Sequence, residues 1–347
     1  MAYISFQPSD FFNTTLYTGD GSTQSITGVG FQPDLNIVKS RGVKNWGCTD
    51  AVRGVGEAIH PNGTFAEGST PDGLTAFNAD GFSVGTDTTW NGSGVDYASW
   101  NWKAGTTTGI DTTGATITPS SYSFNATSGF SIIKYVGTGV AATLPHGLGV
   151  APTLIIQKNL DDTENWQVYH SYMGATKYMT WNTTNVESTS STRWNDTEPT
   201  SVLFSIGTDT STNGNTEACI AYCFAPTQGF FHTGEYRGNG NSTQPPFIFT
   251  GFRPNWVIIK SYNQAAGWIQ YSSIMSPYNG SGAALFVNTT AAESAGSTYE
   301  TIDRYSNGFR VPYTTSNDFN GSGWGYLYMA CAEYPFVSSN DVPATAF

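Results

Sequence analysis

Ten residues recur three times along the chain: "GFQPDLNIVK" (Gly30–Lys39), "GVAPTLIIQK" (Gly149–Lys158) and "GFRPNWVIIK" (Gly251–Lys260). Each copy opens on glycine with a proline three residues on, runs through Val, Ile and Leu, and closes on lysine. Glycine accepts unusual φ and proline holds φ near about −65°, so the first half is a turn. The apolar run is too short for a helix. It reads as a strand buried on both faces or nearly so, with the lysine marking the exit to solvent. The aligned prolines, Pro33, Pro152 and Pro254, stand 119 and 102 residues apart. That period is too long for a solenoid unit, and each copy has enough chain for a small domain.

The same signals follow in the same order around each copy. A Gly-rich lead-in starts at Tyr17, Tyr135 or Tyr236. A second turn-and-strand signal comes later: "FNADGFSVG" (Phe77–Gly85), "VLFSIG" (Val202–Gly207) and "RYSNGFRV" (Arg304–Val311). Asp-Gly and Asn-Gly are strong tight-turn pairs, and the second copy lacks them. A polar turn at Asn91, Asn213 or Asn320 then leads to a last strand, "YASWNWKA", "CIAYCFAP" or "YLYMACAE". Its large residues alternate (Trp100/Trp102, Tyr222/Phe224, Tyr326/Tyr328), which predicts a strand with one strongly buried face.

With aromatics at 14%, charged residues at 12% and 39 glycines, few residues favour a helix. The expected fold is all-β: three tandem β-sandwich (jelly-roll-like) repeats over 16–104, 129–226 and 227–347, the last including a C-terminal tail. Residues 105–128, rich in Thr, Ser and Gly, are either a linker or an extra edge hairpin. The second and third repeats meet almost without a linker, which predicts a fixed angle between them. Residues 1–15 are unusually aromatic for a tail. They are expected to form an arm that docks through Tyr3, Phe6, Phe11 and Phe12 on a partner or a neighbouring repeat.

The formal net charge is −12. An acidic surface without a Lys/Arg cluster disfavours nucleic acid and anionic membranes as partners. The N-terminus has no basic start or cleavage site of a signal peptide, and no apolar stretch approaches the roughly 20 residues of a membrane span. Synthesis in a cytoplasm is expected.

Catalytic constellations are hard to assemble from these residues. The four cysteines, Cys48, Cys219, Cys223 and Cys331, contain no CxxC pair. Cys219 and Cys223 would share one face of a strand but stand too far apart for a bond, so four reduced, buried thiols are expected and no metal or cofactor. His146, in "LPHGLGV", is expected to be a solvent-facing or hydrogen-bonded turn histidine. Asp161, Asp162 and Glu164 beside Trp166 could form a sugar subsite or a calcium loop, but they lack the ligand spacing of one and read better as a solvated turn. Asp50 and Arg53 form either a surface ion pair or a register lock between strands. Trp46, Trp90, Trp166, Trp194 and Trp268 lie in polar, turn-like contexts. Most are expected to plug the core, and one or two are candidates for a glycan or protein contact.

Taken together, the threefold "GFxPxxxxxK" with "GFSIIKYVGTG", "HGLGVAP", "YNGSGAALFVNTTAAE", "IDRYSNGFRV" and "YMACAEYPF" resembles a repeat family of virion structural proteins. That family is common in tailed phages of marine bacteria, notably those infecting cyanobacteria. The resemblance covers almost the whole chain. It implies a component of the phage particle, often tail-fibre-like, and brings no catalytic residue with it. The expected function is therefore a non-enzymatic virion protein of the tail or fibre, with a homotrimer favoured. Its expected partners are other virion proteins or host surface glycan, in host attachment or receptor binding. The alternative is a capsid decoration (cement) protein, three similar lobes in one chain sitting as a pseudo-trimer on a local three-fold axis. A glycan depolymerase is the third reading.

Overall fold

The computed structural model describes residues 4–279, 282–294, 302–312, 318–337 and 342–343. The chain is all-β, built of antiparallel sheets, and the helices among the described residues are three or four residues long. Three large sheets follow one another along the sequence. The first has the strand order Phe12–Thr18, Asp96–Trp102, Leu35–Ser40, Trp46–Asp50. In the second, Phe130–Val136, Ala218–Phe224, Leu154–Asn159 and Gln167–His170 repeat that order, and in the third Phe231–Arg237, Gly325–Pro335, Phe252–Ser261 and Ile269–Ser272 do. The strand after the repeated proline is thus always central, between the closing strand and the one that follows it. Each large sheet faces a small one to make a sandwich. The small sheets are Gln24–Ile26, Gly81–Val84 and Leu74–Asn78 in the first lobe, Ala142–Pro145 and Leu203–Ile206 in the second, and Phe247–Phe249, Gly308–Arg310 and Asp303–Tyr305 in the third.

Turn chemistry explains why the second small sheet is short. Gly81 follows Asp80 at φ +119°, and a Cβ there would lie 2.1 Å from the Ile26 carbonyl oxygen. Gly308 after Asn307 sits equally close to the Ile248 carbonyl. Only glycine fits such a turn, and it hands the chain into a third strand. The second lobe has no such pair and no third strand. Its Ala142–Pro145 strand is flanked by the segment 116–117, whose backbone donates to the Thr143 carbonyl at 3.1 Å. The Thr/Ser/Gly-rich segment therefore belongs to this lobe. It also adds the edge strand Ser121–Asn125, paired with Phe130–Val136.

Period-two alternation decides where the side chains go, and both faces of each large sheet are buried. In the three post-proline strands, Leu35, Leu154 with Ile156, and Trp256 with Ile258 point to a single core shared by all three lobes. The intervening Val38, Ile155, and Val257 with Ile259 point into separate lobe cores. The closing strands are likewise covered on both sides rather than on one. Their large residues change phase between lobes: Trp100, Trp102, Tyr222 and Phe224 enter the shared core, whereas Tyr326 and Tyr328 enter their own lobe. Three sandwiches therefore surround a common interior.

The repeated lysines do not mark an exit to solvent. Lys39, Lys158 and Lys260 are all fully buried. Each ammonium reaches two backbone carbonyls: Ser40 and Gly42 for Lys39, Asn159 and Asp162 for Lys158, Ser261 and Thr184 for Lys260. A turn rich in unpaired carbonyls needs donors, and a lysine at the end of the strand supplies three.

Candidate functional site

The junctions between lobes carry the most specific geometry in the molecule. The Trp166 indole Nε1–H donates to the His60 carbonyl at 3.1 Å, from the second lobe to the first. Trp268 donates to the Thr180 carbonyl at 3.0 Å, from the third to the second. Trp46 donates to the Phe286 and Thr289 carbonyls at 3.2 and 3.1 Å, from the first to the third. Backbone bonds run the opposite way around the same circle: Glu67 N–H to Leu160 C=O at 2.7 Å, Glu187 to Tyr262 at 2.8 Å and Glu293 to Arg41 at 2.8 Å. The first and third lobes, far apart in sequence, thus meet as the consecutive lobes do, and the three close a ring. Asn62, Asn182 and Asn288 reinforce it, each accepting from the backbone N–H of Trp46, Trp166 or Trp268 in its own lobe.

Inside the ring the shared core is apolar and leaves only about 40 Å³ free. A space of that size lined by Trp, Leu and Ile is dry and too small for a cofactor. At its border lies one charged group of residues. The Arg53 guanidinium contacts Asp50 at 2.5 Å and Glu67 at 3.0 Å, with the Asp50 and Arg53 side chains wholly buried. Tyr222 of the second lobe donates to Asp50 at 2.7 Å. The pair expected at the surface or between strands is therefore a buried tie between two lobes.

The remaining reactive side chains are locked into structure. His146 is buried, its Nε2 against the Thr200 carbonyl at 3.1 Å and its Nδ1 accepting from the Leu148 N–H at 3.2 Å, so it is a hydrogen-bonded turn histidine. Burial holds its pKa down at about 4. His170 is depressed to about 4 for the same reason. All four cysteines are free and buried, and desolvation pushes Cys48, Cys219 and Cys223 up to about 12. Asp161, Asp162 and Glu164 lie in a turn after the strand, where Asp161 accepts from the Ala218 N–H and Glu164 from Thr210. Among the described residues, no group of three His, Cys, Asp or Glu could hold a metal ion.

The tryptophans expected as contacts need correction. Trp46, Trp90, Trp166, Trp194 and Trp268 are all buried, so none offers a ring face to a ligand. Their polar neighbours are turn residues that carry each indole under a lobe or into a junction. Of the expected docking arm, Tyr3 lies outside the described residues. Phe12 belongs to the first strand and is buried in the shared core. Phe6 and Phe11 lie edge-on to Phe230, with centroids 5.5 and 6.4 Å away. The arm is thus seated on this chain's own third lobe. Exposed aromatic rings occur instead at Phe65, Tyr172, Phe247, Phe249, Tyr278 and Tyr334. The signal for Tyr278 lies in "SPY", an aromatic directly after proline in a polar stretch.

The arrangement defines a class: an all-β body of three sandwiches closed into a ring around a shared apolar core. Residues 7–335 match DUF7483, described as a domain of unknown function, and the chain belongs to that family. No curated protein and no solved structure matches it. No helix among the described residues is long and apolar enough to cross a membrane.

Proposed function

We propose that the protein is a non-enzymatic virion structural component of the tail or fibre, acting by assembly and adhesion towards other virion proteins or host surface glycan. The observation that carries this reading is the closed ring of three lobes. Its titratable core groups are spent on internal bonds, and its outward features are clefts and aromatic rings. Such a body keeps its shape through apolar burial, which surrounding salt screens little. Repetition of similar lobes multiplies weak contacts. The particle context is suggested by the resemblance of the sequence motifs to virion structural proteins.

A second reading, capsid decoration, is favoured by one specific feature. The third-to-first junction repeats the bonds of the other two, so a single chain already has the pseudo-symmetry of a trimer and matches a three-fold position as a monomer. In the fibre reading the chain instead assembles as a homotrimer. Imaging of intact particles decides: a few to a few dozen copies on the tail support the fibre role, hundreds over the shell support decoration, and absence from the particle overturns both.

A further inference from the structure

The third lobe departs from its siblings in one respect. Its two central strands, Phe252–Ser261 and Gly325–Pro335, have 10 and 11 residues, whereas their counterparts have 6 and 7 in both other lobes. The extension passes a bulge at Arg253–Trp256 and continues as a two-stranded ledge carrying Arg253, Glu333 and Tyr334. Bulged ledges of this kind re-aim side chains away from the regular sheet. Two adjoining clefts of about 440 and 350 Å³ lie along it, sharing Pro277, Glu333 and Tyr334. Each falls within the roughly 300–1,000 Å³ of ligand pockets.

The cleft is built to hold an exposed ring still. Tyr278 is 78% exposed and Tyr334 53% exposed. The loop bearing Tyr278 is pinned on both sides. Asn279 exchanges hydrogen bonds with the Arg304 backbone at 2.9 and 3.0 Å, and the buried Arg304 guanidinium donates to the Ser276 carbonyl. The mostly buried Arg253 and the part-exposed Glu333 face each other at 3.2 Å, so each offsets the other's charge. Asn13, Asn255 and Ser273 line the rest with amides and a hydroxyl.

We propose that this ledge is a binding site for a neutral hexopyranose oligosaccharide. Apolar ring faces on pre-set loops stack against sugar faces, while amides and a neutralised ion pair meet hydroxyls from both directions. The inference deepens the adhesion reading and rests on it for its biological sense.

The test is saturation-transfer NMR on the full chain with cellotriose, maltotriose and chitotriose as probes, and a proline-rich peptide as the protein-like comparison. Transfer to at least one trisaccharide is expected. Tyr278→Ala and Tyr334→Ala should each weaken it roughly tenfold with the melting temperature unchanged, and Phe65→Ala, an exposed ring on the first lobe, should leave it intact. The site is refuted if none of the three sugars receives transfer, if both tyrosine variants bind as well as the parent, or if only the peptide binds. Particle imaging fails or succeeds independently. A chain found in the virion that ignores all three sugars sinks this site alone, and a sugar-binding chain absent from the virion sinks only the particle role.

Discussion

Tyr222 donates its hydroxyl to the Asp50 carboxylate at 2.7 Å across the junction of the first and second lobes, against the same oxygen that Arg53 contacts. The three groups are buried, so the carboxylate's charge is balanced entirely inside the protein. Removing the arginine leaves an unpaired buried charge, whereas removing the hydroxyl leaves the carboxylate one donor short. Arg53→Met should therefore cost about 3–5 kcal/mol and Tyr222→Phe about 1–3 kcal/mol in urea denaturation. A smaller loss for Arg53→Met than for Tyr222→Phe would mean that water reaches the pair.

The indole ring of bonds makes a symmetric prediction. Trp46→Phe, Trp166→Phe and Trp268→Phe each remove an indole donor from carbonyls of another lobe. Each should lower stability by about 1–3 kcal/mol. Equal losses are expected although Trp46 bridges lobes remote in sequence. If Trp46→Phe is silent while the other two are not, the ring is open in solution.

Acid should loosen the protein before most carboxylates titrate. His146 and His170 are held near about 4 by burial, below the ordinary histidine value. A folded pKa below the unfolded one means that the unfolded chain binds more protons, so stability falls as pH drops from about 6.5 towards 4. The loss is on the order of 2–3 kcal/mol per histidine. Asp34, raised by burial, opposes this at the acid end. Calorimetry from pH 7 to 4 should show a falling melting temperature, flattened in the His146→Gln/His170→Gln double variant. An identical slope in that variant would remove the histidines as the cause.

Thiol reactivity gives a simple check on the core. The cysteines are buried, and desolvation keeps them protonated well above neutral pH. The thiolate is the reactive form, so a thiol reagent at pH 8 should label none in the native chain and all four in denaturant. Fast native labelling of Cys48 or Cys331 would show that the shared core opens.

Much of this architecture could be read from residue order. The triple motif, the Asp-Gly and Asn-Gly turns and the alternating closing strands point to three sandwiches, and sandwiches are found. Even the missing turn pair of the second copy has its counterpart in a missing strand. The reading failed where burial depends on what lies beyond the local sheet. The lysine closing each strand and the five tryptophans in polar turns resemble surface residues by their neighbours alone, yet remote parts of their own lobe cover Trp90 and Trp194, and neighbouring lobes take the indoles of Trp46, Trp166 and Trp268.

Local chemistry set the strands, the turns and the number of lobes, because period two, glycine turns and proline φ act over a few residues. Ring closure, the common interior and the ledge of the third lobe depended on contacts between segments up to about 250 residues apart, such as Arg41 with Glu293. No short-range pattern encodes those pairings. They arise when the outer faces of three large sheets, each too apolar to meet water, find one another and bury their remaining surface together.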